Sequence, residues 1–156
     1  MKTSRFLWRA VVQQQMQFNN GHTGLDVIGE FRSTRDRPAG GDFATNNWLS
    51  LGGRVDTQLS GPFRFLLEAG IDRVFAATGG DPQLIKVTPC LAVSAGDGNG
   101  SRPTFRLFYT QGFWNDAAMT SPLGVYVGGT SGKRLAQVYG DANNGGSLGL
   151  QAEAWW

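Results

Sequence analysis

The stretch that decides the fold is GGSLGLQAEAWW, residues 145–156. Its apolar side chains share one parity: Leu148, Leu150, Ala152, Ala154 and Trp156. The other parity carries Ser147, Gly149, Gln151, Glu153 and Trp155. Successive side chains of a β-strand point to opposite faces, so the stretch predicts a strand with one apolar and one polar face. Soluble sheets use such strands, and so do transmembrane β-barrels, whose strands of about ten residues end in aromatic girdles.

The same alternation recurs along the rest of the chain. It predicts six further strands, at residues 5–17, 24–33, 48–59, 63–75, 83–94 and 102–114. Tight turns and longer connections alternate between them, as in outer-membrane barrels, where one end carries short turns and the other carries extracellular loops. We therefore predict an all-β fold: an antiparallel transmembrane β-barrel, here a partial barrel or curved sheet of about seven strands with one long loop at 115–144. Pro89 lacks a ladder donor, so we expect a local defect there.

The composition limits the classes of function. The 156 residues suit one domain, and the net charge of +2 comes from scattered basic residues that do not indicate a nucleic-acid partner. Cys90 is the only cysteine, which excludes an internal disulfide framework, and a single cysteine with a single histidine, His22, cannot build the usual zinc sites. No apolar run approaches the roughly 20 residues of a membrane helix. We expect no metal and no cofactor.

Charged and amide side chains share one parity of the predicted strands. They are Arg54, Asp56, Arg64, Glu68, Asp72, Lys86, Arg106, Gln151 and Glu153. One interpretation is the solvated face of a half-buried antiparallel sheet. The other is the wall of a water-filled lumen, whose donors and acceptors would serve a polar solute. The composition of this face leaves both interpretations open.

Three stretches resemble the maltoporin family of sugar-specific outer-membrane porins. They are FLLEAGIDRV (residues 65–74), SRPTFRLFYTQGFWN (residues 101–115) and GLQAEAWW (residues 149–156). Asn47-Trp48-Leu49, followed by alternating glycines, fits the same family. The resemblance spans roughly residues 25–156, keeps the order of the motifs and covers the C-terminal part of the family's chain.

This resemblance implies a larger closed barrel in the outer membrane, assembled as a homotrimer and surrounded by outer-membrane lipid. Such a porin passes maltodextrins and related oligosaccharides by facilitated diffusion. Sugar rings slide along a spiral of lumenal aromatic residues, while flanking charged side chains exchange hydrogen bonds with the hydroxyl groups. The physical basis is that a pyranose face stacks on an aromatic ring and its hydroxyls need polar partners. Many weak and similar sites select a solute without trapping it.

The resemblance also assigns candidate sugar contacts. The family's penultimate tryptophan belongs to the aromatic spiral and corresponds to Trp155, which shares its parity with Glu153; an interfacial girdle position is the alternative. Glu68, Asp72 and Arg106 match lumenal positions, although structural charge pairs across the sheet would explain them equally well. The predicted substrate-binding residues are Trp155, Arg106, Glu68, Asp72 and Glu153. Another tryptophan of the family's spiral precedes its SRP motif, where this chain has Gly100.

The predicted strands are too few for the family's barrel. Seven strands spaced ~4.8 Å apart make a ribbon about 30 Å wide. Its two free edges would not be tolerated in hydrocarbon. We therefore interpret residues 1–156 as the C-terminal segment of a single β-barrel porin domain, working as part of a longer porin.

The residues also bear on two other classes of function. A soluble β-sandwich that binds carbohydrate would bury Leu148, Leu150 and Phe65 under a second layer. Its stacking platform would be Trp48, Trp114 and Trp155. An enzyme is not expected, because His22 falls in a predicted turn. Glu68 and Asp72 stand four residues apart on one strand, too far for the paired carboxylates of glycoside hydrolysis.

Overall fold

The computed structural model describes residues 4–37, 42–78, 80–96, 101–120 and 139–154. Seven strands form one antiparallel sheet in chain order: β1 Ser4–Phe18, β2 Thr23–Arg37, β3 Ala44–Ser60, β4 Phe63–Phe75, β5 Gln83–Ser94, β6 Thr104–Trp114 and β7 Asn144–Glu153. A 3₁₀ turn at Asn19–Gly21 and one short helix, α1 Asp116–Thr120, complete the described elements. No helix in this part of the chain is long and apolar enough to cross a membrane. The all-β prediction and all seven strands are confirmed, with ends that differ by a few residues.

The connections meet the sheet at two rims. One rim, which we call the tight-turn rim, carries residues 19–22, 61–62 and 95–103, and the other, the long-connection rim, carries 38–43, 76–82 and 115–143. The predicted alternation of tight turns and longer connections is wrong at 95–103, because β6 begins at Thr104 and makes this connection longer than 38–43 and 76–82. The first tight turn needs left-handed backbone at Asn19, Asn20 and Gly21 (φ 52°, 54° and 88°), which asparagine and glycine tolerate best. The predicted loop at 115–144 is described only at its two ends, because residues 121–138 lie outside the described residues.

The strand register gives the sheet two chemically distinct faces. Residues directly opposite each other share a face, as do Asp26, Arg54 and Glu68 on β2, β3 and β4. We call this the polar face; it also carries Arg106 and Glu153. The opposite surface, the apolar face, carries the other parity of every strand. The parity assigned from the sequence therefore holds across all seven strands.

The apolar face has no protein layer over it within the described residues. Leu148 is 73% exposed and Leu150 82% exposed, and Phe105 and Phe63 are also largely exposed. A β-sandwich would cover this face with a second sheet, and the described strands form only one. The sheet is also not closed, because β1 and β7 each pair on one side only.

The buried side chains of the strands lie on the polar face instead. One cluster near the tight-turn rim contains Leu66, Cys90 and Ala92, with Phe108 packed against it. A second, at the long-connection rim, contains Val74, Leu84, Trp114 and Ala118, with Trp48 and Met119 against it. Ala118 and Met119 belong to α1, so the start of the long connection folds onto the polar face. Neighbouring side chains of the two clusters therefore bury one another on this side of the sheet.

The expected defect at Pro89 is confirmed. The pairing of β5 with β6 includes Val87 and Cys90 but omits Thr88 and Pro89, while the pairing with β4 continues through all four. The register is the same on both sides of the gap, so the proline interrupts one ladder without shifting it. This agrees with the missing N–H donor of proline.

Candidate functional site

The polar face bounds an open groove of about 830 Å³ that receives side chains from all seven strands. Its charges are mixed. The described strands place seven basic residues on it, namely Arg5, Arg9, Arg32, Arg54, Arg64, Lys86 and Arg106. They also place seven acidic residues on it, namely Asp26, Glu30, Asp36, Asp56, Glu68, Asp72 and Glu153. The two signs are balanced, so the strands favour neither anions nor cations.

Two predicted site residues meet near the tight-turn rim. The Arg106 guanidinium donates a hydrogen bond of 2.7 Å to the Glu153 carboxylate across β6 and β7. Arg102, from the connection before β6, lies 2.9 Å from the same Glu153 oxygen. All three side chains are partly buried. The pair lies on the polar face as predicted, but its members already satisfy each other, as expected for a structural charge pair.

A second ion pair near the same rim is more deeply buried. The Arg64 and Asp56 side chains approach to 2.7 Å and are only 4% and 13% exposed. They stand close to the Leu66 and Cys90 cluster, where removing either charge would leave the other poorly solvated. This pair therefore belongs to the sheet's internal structure.

Glu68 and Lys86 are the charges that remain open to the groove. Both side chains are exposed, and neither makes an ion pair or a side-chain hydrogen bond within the residues described. Glu68 lies opposite Thr88, whose hydroxyl forms a hydrogen bond of 2.9 Å with the Thr110 hydroxyl. This middle band of the polar face thus offers an acceptor, a donor and two hydroxyl groups to a solute.

Asp72 is engaged by its neighbours. The Ser50 hydroxyl donates to it at 2.5 Å, and the Trp48 indole N–H donates at 3.4 Å. The Arg32 guanidinium carbon lies 4.1 Å from the centroid of the Trp48 ring, within the range of a cation–π contact. Asp72 is therefore better placed to orient Trp48 than to bind a solute freely.

The described strands place three aromatic residues on the polar face, and these differ in how exposed they are. Trp48 and Phe108 are partly exposed. Trp114 is 7% exposed, donates its indole N–H to the Ala142 carbonyl at 3.0 Å, and packs 5.0 Å from the Tyr139 ring. Trp114 therefore cannot serve as a stacking platform. Trp155 lies outside the described residues, so its role stays a prediction.

Phe108 is a candidate that sequence reasoning did not select. It shares the polar face with Arg106, and its ring lies over Gly149 of β7, where a Cβ atom would overlap it. The signal was present, because an aromatic residue on the charged parity of a strand needs an explanation. Its pairing with a glycine could be found only once the register was known.

The described carboxylates of the polar face are spread along the strands. Glu68 and Asp72 lie on one strand, about 13 Å apart along it. No group of three or more histidine, cysteine or acidic side chains is placed to hold a metal ion anywhere in the described ranges. The chemistry of this face is that of many separated donors and acceptors along a groove.

An antiparallel sheet with an exposed apolar face on one side and a charge-balanced groove on the other is the arrangement of an outer-membrane porin wall. Comparison with known protein families gives a match to LamB porin over residues 2–156. The chain belongs to the LamB porin family, and the predicted resemblance to maltoporins is confirmed. The family consists of sugar channels of the outer membrane and not of enzymes.

Proposed function

We propose that the polar face of this chain forms part of a lumen wall along which neutral oligosaccharides of the maltodextrin type cross the outer membrane by facilitated diffusion. The observation that carries the proposal is the equal number of basic and acidic side chains on the strands of this face. A neutral solute rich in hydroxyl groups gains hydrogen bonds from such a wall without being held by a net field.

The residues proposed to contact the sugar play different roles. Glu68 and Lys86 offer hydrogen bonds to sugar hydroxyls, because no neighbour in the described residues engages them. Arg106 and Glu153 present the outer surface of an ion pair, and Asp72 acts through Trp48. Trp155 supplies a stacking surface, as the family resemblance suggests. Each contact is weak, which suits conduction better than one tight site.

The rest of the barrel wall comes from additional strands. β1 and β7 leave their outer ladder groups without a strand partner in the described part of the chain, and such edges are costly in hydrocarbon. We propose that these edges pair with further strands of a longer porin, and that three such porins form a homotrimer. Residues 1–156 then act as one segment of a single barrel domain.

The test is ion current through planar bilayers. The protein is reconstituted with the strands that complete its barrel, and maltodextrin is added on one side. We expect discrete channels whose current falls with sugar concentration and is unaffected by a neutral polymer too large to enter. A channel blocked equally by any solute of similar size would contradict sugar selectivity. A weaker block by maltodextrin after substitution of Glu68 by Gln would show that the sugar contacts the polar face of this chain.

A further inference from the structure

An aromatic ring lies across the polar face at a position where β7 has a glycine. Phe108 stands opposite Gly149 in the register of β6 and β7. Three atoms of its ring, Cζ, Cε1 and Cε2, are the nearest to the point where a Cβ atom at position 149 would lie. The ring therefore extends over the backbone of β7, into the space that a side chain at this position would occupy.

The position of the Phe108 ring is fixed from two sides. Towards β5 the residue packs against the buried cluster of Leu66, Cys90 and Ala92, and towards β7 its ring meets the backbone of Gly149. The ring is nevertheless only partly buried, and it lines the open groove of the polar face. A ring that is already held in place offers a solute an apolar contact at little cost in conformational entropy.

Two polar side chains of β7 flank the ring. Ser147 and Gln151 lie two residues before and after Gly149, so all three positions share the polar face. Both side chains are exposed, and neither the Ser147 hydroxyl nor the Gln151 amide makes a hydrogen bond within the described residues. A solute that covers the ring therefore meets a hydroxyl group at one end and an amide, with both donor and acceptor, at the other.

From this arrangement we propose that Phe108, Ser147 and Gln151 form a sugar-binding subsite of the lumen wall, where one pyranose ring of the passing oligosaccharide stacks on Phe108. The inference rests on the proposed function, because it names a place where the same solute is held. The C–H groups of a pyranose are attracted by the negative face of an aromatic ring, and its hydroxyls need polar partners in place of water. The three side chains are uncharged, so the subsite suits a neutral solute that has an apolar face.

The first test is the block of ion current by maltohexaose in variants of the reconstituted protein that change only one ring. F108L keeps an apolar side chain but removes the aromatic face, so the concentration needed for half-block should rise by about two- to tenfold, the effect of one aromatic contact. F108Y keeps the ring and should be blocked as the wild type is. F105L is the matched control, because Phe105 lies on the same strand, on the apolar face, and is 61% exposed there. It should leave the block unchanged.

A second measurement detects the contact without using current. Phenylalanine rings are protonated in an otherwise deuterated protein, and the transfer of magnetisation from these rings to the C–H protons of maltohexaose is followed by NMR. We expect transfer in the wild type and in F105L, and a clear fall in F108L. The midpoint of denaturant unfolding is measured for each variant, because a ring that only covers Gly149 would affect stability and not the sugar.

Two results would overturn the proposal. One is a half-block concentration and a magnetisation transfer that are both unchanged in F108L, and the other is an equal effect in F105L. Transfer that falls in F108L, in a protein whose current maltohexaose does not block even in the wild type, would refute the proposed transport and leave the subsite standing. Block of the wild type that F108L does not weaken would refute the subsite and leave the proposed transport standing.

Discussion

Arg106 on β6 donates a hydrogen bond of 2.7 Å to Glu153 on β7, and Arg102 reaches the same carboxylate oxygen at 2.9 Å. One carboxylate therefore holds two guanidinium groups at the last strand of the sheet. Replacing Glu153 by Gln would leave two cations side by side with no anion between them. We expect E153Q to lower the midpoint of denaturant unfolding of the reconstituted protein.

The R106Q variant provides the matched comparison. It removes one cation and leaves the contact between Arg102 and Glu153, so its loss of stability should be smaller than that of E153Q. Because the three groups act as one network, the loss of stability in the E153Q/R106Q double variant should be smaller than the sum of the losses in the two single variants. Strict additivity would show that the contact between Arg106 and Glu153 contributes nothing to β7 docking.

The second prediction concerns the open carboxylate of the groove. Substituting Glu68 by Gln removes a charged hydrogen-bond acceptor without breaking an ion pair, so the unfolding midpoint should not change. The concentration of maltodextrin needed for half-block should rise by about two- to tenfold, which corresponds to one lost hydrogen bond. E30Q is the control on the same face, because Glu30 is engaged by Arg9 at 3.7 Å. An equal rise in the half-block concentration in E30Q would show that the net charge of the groove, and not a hydrogen bond between Glu68 and the sugar, determines the block.

The third prediction concerns the contribution of the Trp48 ring to stability. W48A removes a partly buried ring that packs beside Val74 and makes a cation–π contact with Arg32. We expect the free energy of unfolding to fall by about 2 kcal/mol, which is below the range for fully buried aromatic residues. W48F keeps a ring and loses the long hydrogen bond to Asp72, so its loss should stay under about 1 kcal/mol. Urea unfolding followed by tryptophan fluorescence measures both. Equal losses would mean that the indole N–H, and not the ring, stabilises this region.

The strands and their faces could be predicted because both depend on local parity. Leu148 and Ser147 are neighbours in sequence and point to opposite faces, and that assignment needs no knowledge of partners. The position of Pro89 likewise predicted a ladder defect from one residue's chemistry. Sequence reasoning was strongest where a period of two repeats over ten or more residues.

The details of the polar face could not be predicted, because they depend on register and on connection geometry. Arg102 meets Glu153 only through the bend before β6, and Asp72 is engaged by Ser50 and Trp48 only because β3 and β4 align as they do. The helix α1 has too few residues to show a helical period. Its docking against Trp114 is a tertiary contact that local patterning does not encode.

The fourth prediction tests the glycine beneath Phe108. A Cβ atom at position 149 would overlap the Phe108 ring, so G149A must displace the ring and should cost about 1–3 kcal/mol in unfolding free energy. G52A is the matched control on the same face, where the nearest atom to a Cβ, the Ala69 carbonyl oxygen, is 3.5 Å away. It should change stability by less than about 1 kcal/mol. Combining G149A with F108L should recover much of the loss, and no recovery would show that the strain lies in the backbone.

The fifth prediction tests which face meets lipid, using two neighbouring positions of β7. Leu148 is 73% exposed on the apolar face, and Ser147 is exposed on the polar face. L148R would put an uncompensated cation into hydrocarbon, at a cost of about 2–4 kcal/mol for a site near the membrane midplane. S147R would place the same side chain in the water-filled groove and should change stability by less than about 1 kcal/mol. Reversible urea unfolding in vesicles measures both variants. If S147R were the damaging substitution and L148R the tolerated one, the apolar face would be facing water, and the assignment of lumen and lipid sides would have to be exchanged.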